Sequence, residues 1–199
     1  MNFWDKRYQS DDYVYGLEPN DFLRDHLSYL PPGRLLSLGE GEGRNAVFLA
    51  QNGFDVTAID SSEVGLNKAK QLASKNHVNI SIKVEDLSQF EQPENDWDVI
   101  LAIYCHLPPE LRLSLYPKIA RSLKPGGVFV LEAYSPEQLE YRTGGPGSVD
   151  MLIPLEELES GFMGFHLSVS RKVVRTVNEG TLHTGEASVV QFIAKKPNA

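Results

Sequence analysis

The stretch that decides the fold is LLSLGEGEGRN, residues 35–45, in which an apolar run leads into three glycines separated by single glutamates. Glycine-rich turns that follow a strand commonly hold a phosphate, because the N-terminus of the next helix and free backbone N–H groups favour an anion. The carboxylates of Glu40 and Glu42 would repel a phosphate at this turn. The turn is therefore either purely structural or built for a ligand that has no phosphate.

The spacing of the three glycines argues against the common nucleotide-binding motifs. Gly39, Gly41 and Gly43 follow the pattern G-x-G-x-G, whereas a dinucleotide fingerprint is G-x-G-x-x-G, and Arg44 occupies its sixth position here. A P-loop requires Gly-Lys-Ser/Thr after the turn, and no such triplet follows. An NAD-binding oxidoreductase remains an alternative that the early third glycine weakens.

The composition indicates one ordinary α/β domain. The chain has 199 residues, of which 41% are hydrophobic, and a formal net charge of −8. This length suffices for one buried core, so we expect one domain over residues 1–199. The negative charge opposes long-range attraction to nucleic acid. A single cysteine, Cys105, indicates a reducing compartment such as the cytoplasm, and no signal peptide or membrane-spanning stretch is recognisable.

Alternating β-like and amphipathic segments predict an α/β fold with a doubly wound sheet that is parallel at its centre. The predicted strands are Arg34–Leu38, Asp55–Ile59, Asn79–Val84, Asp98–Ile103, Val128–Ala133, His166–Val177 and Ala187–Lys195, the last two forming an antiparallel pair. The predicted helices are Asp21–Tyr29, Arg44–Gln51, Glu63–Ser74, Pro109–Leu123 and Leu155–Ser160, and Pro117 should kink or split the fourth. Residues 142–149, rich in glycine and proline, predict a loop.

Acidic and aromatic residues follow the ends of three predicted strands. Asp60 closes the second strand, where an acid in such sheets accepts hydrogen bonds from ribose hydroxyls; capping of the following helix is the alternative. Asp86 and Leu87 follow the third strand and suit an adenine, or are simply part of a solvated loop. Tyr104 and His106 follow the fourth. Because the carboxyl ends of parallel strands share one edge, these residues predict a site for a ribose-containing ligand.

The order of these motifs resembles that of class I methyltransferases, which use S-adenosylmethionine. The glycine trio, Asp60, the triplet at residues 85–87 and the LKPGG turn at residues 123–127 carry the resemblance, which covers residues 34–133. FWDKRY and YVYGLEPNDFL near the N-terminus, and YCHLPP after the fourth strand, are similar to the small-molecule branch with tellurite-resistance and thiopurine-type enzymes. The resemblance implies a Rossmann-like sheet, mostly parallel with a final antiparallel strand.

The resemblance also implies an organisation and a set of binding residues. Independently of the resemblance, the aromatic residues Trp4, Tyr8 and Tyr15 lead us to expect that residues 1–30 fold over the cofactor as a lid. Residues 134–199 would contain the substrate loop and the terminal strands. Cofactor binding is expected of Gly39, Glu40, Gly41, Gly43, Asn45, Asp60, Ser61, Asp86, Leu87, Ile103 and Tyr15. In this set Asp60 would bind the ribose, Asp86 the adenine amine, and Leu87 the face of the adenine.

One departure from the family pattern concerns the ammonium group of the cofactor. Ser37 stands where the family usually has an acid, and Glu40 stands where it usually has a small residue. S-adenosylmethionine has no phosphate and carries a sulfonium and an ammonium, so a carboxylate near the turn attracts it. We therefore expect Glu40 to supply the missing charge and Glu42 to face solvent.

Catalysis in this class depends mainly on positioning, because a sulfonium is already a strong electrophile. For an acceptor that must lose a proton, His106 is the predicted base, with a reference pKa near 6.5, and Tyr104 is the second catalytic candidate. Tyr15 and Tyr134 are expected to shape the acceptor pocket. The motifs of DNA-methylating and metal-assisted enzymes are absent, so a small-molecule acceptor is expected, with no metal, nucleic acid or membrane partner. A non-catalytic regulatory domain that binds S-adenosylmethionine stays a second alternative.

Overall fold

Seven strands form one sheet. In the computed structural model, which describes residues 2–198, they are β1 (Arg34–Leu38), β2 (Asp55–Asp60), β3 (Ser81–Val84), β4 (Trp97–Ile103), β5 (Leu123–Tyr134), β6 (His166–Glu179) and β7 (His183–Lys195). Their order is β3-β2-β1-β4-β5-β7-β6. Strands β1 to β5 pair in parallel, and β7 runs antiparallel between β5 and β6. The predicted sheet is confirmed; Met1 and Ala199, the ends of the predicted domain, lie outside the described residues.

Helices flank the sheet. They are α1 (Phe3–Arg7), α2 (Asp21–Asp25), α3 (Arg44–Gln51), α4 (Glu63–Lys75), α5 (Pro109–Ser122) and α6 (Leu155–Gly161). Short 3-10 turns occur at Leu27–Tyr29, Leu87–Gln89, Pro136–Glu140 and Val149–Met151. Residues 142–148 are irregular, as their glycine and proline content predicts. Within residues 2–198, no helix combines the length and the apolar character needed to cross a bilayer.

Apolar side chains of the central strands are buried on both faces of the sheet, as is typical of parallel strands covered by helices. Ile100 of β4 packs in one cluster with residues of α5 and with Phe162. Its neighbour Leu101 packs in the opposite cluster with residues of α2 and α3, including Leu23. The two cores fix the strands rigidly, so the loops at the carboxyl edge of the sheet stand on a stable base.

Helix α5 continues through Pro117, so the predicted split at this proline does not occur. Pro117 is exposed, and so is Leu113, whose carbonyl loses its helical partner because proline has no N–H. On this solvent side water can replace the lost hydrogen bond, which explains why the helix continues. The LKPGG segment also differs from its prediction, because β5 begins at Leu123 and includes it, although Gly126 adopts a φ of +77°.

The first predicted helix, Asp21–Tyr29, is shorter than expected. Helix α2 ends at Asp25, and a 3-10 turn over Leu27–Tyr29 follows. His26 lies between them with a φ of −113°, and its Nδ1 lies 2.9 Å from Phe22 O. The His26 imidazole thus lies beside the Phe22 carbonyl in the last turn of α2, and the α-helix ends at Asp25.

Candidate functional site

A cleft of about 570 Å³ opens at the carboxyl edge of the parallel strands, a volume typical of small-molecule sites. Of the residues that the sequence predicts for the site, the following line it: Gly39, Glu40, Asn45, Asp60, Ser61, Asp86, Leu87, Ile103, Tyr104, His106 and Tyr15. They come from the carboxyl ends of β2 and β4, from the segments that follow β1 to β4, including the first turn of α3, and from the N-terminal segment. Gly41 and Gly43 do not line the cleft.

Both of these glycines serve packing instead. Gly43 has a φ of +94°, and a Cβ atom there would lie 2.5 Å from Ala69 Cβ, so its absence lets α3 approach α4 closely. A Cβ on Gly41 would lie 2.7 Å from Tyr8 Oη. Both glycines thus have a packing role, and the cofactor contact expected of Gly41 and Gly43 stays a prediction.

Three backbone N–H groups of the glycine loop and the first turn of α3 donate hydrogen bonds within the protein. Glu40 N donates to Ile59 O at 3.1 Å, and Gly41 N donates to Asp60 Oδ2 at 2.9 Å. Ala46 N, in the first turn of α3, donates to Glu40 Oε1 at 2.9 Å. A phosphate site at a helix N-terminus needs such groups free. These hydrogen bonds leave fewer donors for a dinucleotide pyrophosphate, which agrees with the early third glycine.

Glu40 lies in the wall of the cleft and is held from both sides. One carboxylate oxygen accepts the hydroxyl hydrogen of Ser37, and the other accepts the N–H of Ala46. Burial raises the pKa of Glu40, while these two hydrogen bonds oppose that shift. The two positions at which this chain departs from the family pattern, Ser37 and Glu40, are thus in direct contact.

Glu42 does not face solvent, and that prediction is wrong. Only 4% of the residue is exposed. Its Oε2 accepts a 2.8 Å hydrogen bond from Val14 N, and its Oε1 is paired with Lys68 Nζ. The carboxylate therefore binds the N-terminal segment and α4, two contacts between distant parts of the chain that the spacing of the glycine turn does not reveal.

Two further carboxylates in the cleft are oriented by backbone N–H groups. Asp60 Oδ1 accepts from Ser62 N at 2.8 Å, and Ser62 caps α4 through Gly65 N at 3.0 Å, so Asp60 is not the helix cap. Burial raises the pKa of Asp60. Asp86 Oδ1 accepts from Ser88 N at 2.8 Å, and this hydrogen bond lowers the pKa of Asp86. Each carboxylate retains lone pairs for a ligand.

His106 is a much weaker base than its expected pKa near 6.5 implies. Burial lowers the pKa of His106 to about 4. Its Nδ1 lies 3.0 Å from Met151 O, so Nδ1 carries the proton and Nε2 has the lone pair. The ring stacks on Tyr134, with 5.6 Å between centroids. At neutral pH the side chain is uncharged and acts as a hydrogen-bond acceptor more readily than as a proton acceptor.

His183 is a cleft residue that the sequence prediction missed. Its ring lies 4.7 Å from those of Tyr15 and Tyr104, between centroids, and only 8% of the residue is exposed. Its Nδ1 is buried without a hydrogen-bond partner in the described part of the chain. Burial lowers the pKa of His183 to about 3. It begins β7, and no motif or strand-end pattern marks it.

A buried ionic network lies beneath the cleft and engages Tyr104 and Arg44. Tyr104 has a φ of +51°, which is rare for a residue other than glycine, and its hydroxyl donates to Glu132 Oε1 at 3.0 Å. Arg175 Nη2 donates to Glu132 at 2.6 Å and to Glu179 at 2.8 Å. Glu179 also pairs with Arg44. Tyr104 thus lines the cleft, while its hydroxyl is held by Glu132 of the network.

Aromatic side chains of the N-terminal segment line the cleft, and the role of this segment as a lid over the cofactor stays a prediction. Trp4, Tyr8 and Tyr15 are among these side chains. Trp4 stacks on Tyr8 at 5.9 Å between centroids, and Asn2 Nδ2 donates to Ser61 O at 2.7 Å. The segment is therefore packed against the loop after β2.

The strand order and the position of the cleft define the class I methyltransferase fold. The crystal structure of TehB from Haemophilus influenzae is similar, with a TM-score of 0.73 at 18% identity over 98% of this chain and 66% of that one. This likeness confirms the predicted fold.

The sequence comparison points to the same family. Residues 35–127 match the model of a methyltransferase domain family, in agreement with the predicted resemblance to class I enzymes that use S-adenosylmethionine. It is 28% identical over 173 residues to a tRNA (uracil(54)-C(5))-methyltransferase of Pyrococcus abyssi, across 75% of this chain and 40% of that protein. It is 33% identical over 110 residues to a ubiquinone biosynthesis O-methyltransferase of Alkalilimnicola ehrlichii, across 54% and 44%. The chain thus spans less than half the length of these relatives.

Proposed function

We propose that the protein transfers a methyl group from S-adenosylmethionine to a small-molecule acceptor. The observation that carries this proposal is the charge of the cleft: Glu40, Asp60 and Asp86 line it, and Gly41 N and Ala46 N donate to two of these carboxylates. A ligand with a sulfonium, an ammonium and a ribose but no phosphate fits such a site. An NAD-type pyrophosphate would meet carboxylates instead of N–H donors.

Individual residues are proposed to hold the parts of the cofactor. Asp60 would accept hydrogen bonds from the ribose hydroxyls, Asp86 from the adenine amine, and Leu87 would pack on the adenine face. Glu40 would face the ammonium. When bound, the cofactor supplies an electrophilic methyl group on its sulfonium. The protein's task is then to hold an acceptor atom in line with that group and to exclude water.

The end of the cleft beyond Tyr104 is the proposed acceptor site. Tyr15, Tyr104, His106 and His183 contribute aromatic surface there, and both histidines are uncharged at neutral pH. Nδ1 of His183 is a buried nitrogen without a partner in the described part of the chain, and such a group favours a ligand that supplies one. An acceptor with an O–H, N–H or S–H group would satisfy it and be oriented by it.

A small molecule is proposed over tRNA, although one relative is named for a tRNA uracil. The formal net charge of −8 opposes binding to a polyanion. Cys105 lines the cleft, but burial raises the pKa of its thiol to about 12, so it does not supply a thiolate for covalent attack on a base. The cytoplasm remains the proposed location, on the basis of this single cysteine.

An acceptor screen tests the proposal. The protein would be incubated with S-adenosylmethionine and a panel of phenols, thiols, amines and chalcogen oxyanions, with transfer RNA as a separate arm, and S-adenosylhomocysteine would be measured. We expect product with at least one small molecule, none with transfer RNA, and little with the variant Asp60→Asn. Tight cofactor binding without product from any acceptor would support the regulatory alternative, and product with transfer RNA alone would overturn the small-molecule assignment.

A further inference from the structure

The cleft contains a cation that no carboxylate of the described chain balances. Arg7, in α1, lines the cleft, and its Nη1 donates a 3.3 Å hydrogen bond to Tyr15 Oη. Its guanidinium carbon lies 5.0 Å from the centroid of the Phe3 ring and 5.8 Å from that of the Trp4 ring. Among residues 2–198, none of the ion pairs involves this side chain.

The other basic side chains near the glycine loop are already paired. Arg44 lines the cleft too, but its guanidinium is bound by Glu179 in the network below. Lys68 is bound by Glu42 behind the loop. Within the described part of the chain, Arg7 is therefore the arginine or lysine of the cleft that remains available for an anion.

The cofactor has one anionic group, the carboxylate beside its ammonium. Glu40 is proposed to face the ammonium, and Arg7 and Glu40 line the same cleft. We infer that Arg7 binds the carboxylate of the cofactor, so that α1 recognises the amino-acid end of the ligand. This inference rests on the proposed function.

The surroundings of Arg7 suit that role. A guanidinium has five N–H donors, and Arg7 uses one of them for Tyr15. The rings of Phe3 and Trp4 lie close enough for cation–π contact, which restrains the guanidinium. A planar guanidinium binds a carboxylate through two parallel hydrogen bonds, and the half-buried position of Arg7 screens the pair less than open solvent would.

The inference also gives the short helix α1, at the edge of the cleft, a role in ligand binding. Helix α1 has five residues and buries none of them. It is tied to the loop after β2 by the hydrogen bond from Asn2 to Ser61 and by a 2.8 Å hydrogen bond from Ser62 Oγ to Asp5 Oδ1. An ion pair between Arg7 and the cofactor adds a contact that exists only when the ligand is bound.

Isothermal titration calorimetry with two ligands tests the inference. S-adenosylhomocysteine has the carboxylate, whereas 5′-methylthioadenosine has the same nucleoside and sulfur without the amino-acid group. Each would be titrated into the unmodified protein, Arg7→Gln, Arg7→Lys and Lys6→Gln. Lys6 belongs to the same helix but does not line the cleft, so Lys6→Gln removes an equal charge as a matched control. Circular dichroism would verify the fold of each variant.

The expected result is selective. Arg7→Gln should weaken binding of S-adenosylhomocysteine by about tenfold to a hundredfold, the range for losing a charge-assisted hydrogen bond, and should change binding of 5′-methylthioadenosine less than about twofold. Arg7→Lys should recover part of the loss, and Lys6→Gln should resemble the unmodified protein. Equal weakening of both ligands, or no weakening of either, would overturn the role of Arg7. Failure of the unmodified protein to bind S-adenosylhomocysteine would instead contradict the proposed function.

Discussion

Replacing Glu42 by glutamine tests how the N-terminal segment is held to the glycine loop. Glu42 Oε2 accepts a 2.8 Å hydrogen bond from Val14 N, and Oε1 is paired with Lys68 Nζ. Lys68 Nζ also donates to Ser10 O at 2.9 Å and to Asp12 O at 2.7 Å. The carboxylate of Glu42 and the ammonium of Lys68 therefore hold the backbone of residues 10–14, in the N-terminal segment, against the glycine loop and α4.

The magnitude follows from the burial of this pair. Only 3% of the Glu42 side chain and 11% of the Lys68 side chain are exposed. Removing one partner of a buried ion pair costs roughly 3–5 kcal/mol when the remaining charge is left unpaired. Lys68 keeps two carbonyl partners, so we expect a loss of roughly 2–3 kcal/mol for Glu42→Gln. The glutamine amide oxygen still accepts from Val14 N, which confines most of the loss to the ion pair.

Hydrogen exchange at the Val14 amide, together with urea denaturation, measures this loss. A local loss of roughly 2–3 kcal/mol corresponds to exchange that is faster by roughly 30- to 150-fold. The double variant with Lys68→Met should lose less than the sum of the two single variants, by roughly 1–2 kcal/mol. Unchanged exchange at Val14, with a stability change below about 0.5 kcal/mol, would refute the reasoning and return Glu42 to an ordinary surface role.

Three further predictions concern the loop and the acceptor end. Glu40→Gln should weaken S-adenosylmethionine binding about tenfold in calorimetry, because a charge opposite the ammonium is lost; unchanged affinity would contradict this. Gly43→Ala should lower the unfolding free energy by about 3 kcal/mol in urea titrations, and Gly53→Ala by only about 1, because both positions have a positive φ but only Gly43 is crowded by α4; equal losses would contradict the packing role. Burial holds the pKa of His106 at about 4 and that of His183 at about 3, below the unfolded value near 6.5. The unfolded chain therefore binds protons first as pH falls, and stability should drop between pH 7 and 5 by up to about 2 kcal/mol per histidine, relative to a variant without both; parallel profiles would contradict this.

The sheet and much of the cleft are predictable from local sequence. The bounds of β1 and α3 agree with those predicted, because an apolar run, a glycine turn and an amphipathic segment are local signals. Asp60, Asp86 and Tyr104 share the cleft because each directly follows or closes a parallel strand, and the strand order then brings them together.

The rest depends on contacts between distant segments. Glu42 was expected in solvent, and its partners Val14 and Lys68 lie 28 and 26 residues away in sequence. His183 enters the cleft because β7 pairs with β5 and β6, and its neighbours Tyr15 and Tyr104 come from elements far away along the chain. No periodicity encodes these contacts. The low pKa of His106 is likewise a consequence of burial in the assembled cleft.

The central claim is that this glycine loop binds a cofactor without phosphate. Parallel calorimetric titrations of the purified protein with S-adenosylmethionine and with NADH test it most directly. The carboxylates of Glu40, Asp60 and Asp86, two of which already accept hydrogen bonds from backbone N–H groups of the loop and of α3, predict saturable binding of S-adenosylmethionine and no detectable binding of NADH. Saturable binding of NADH without binding of S-adenosylmethionine would contradict the account.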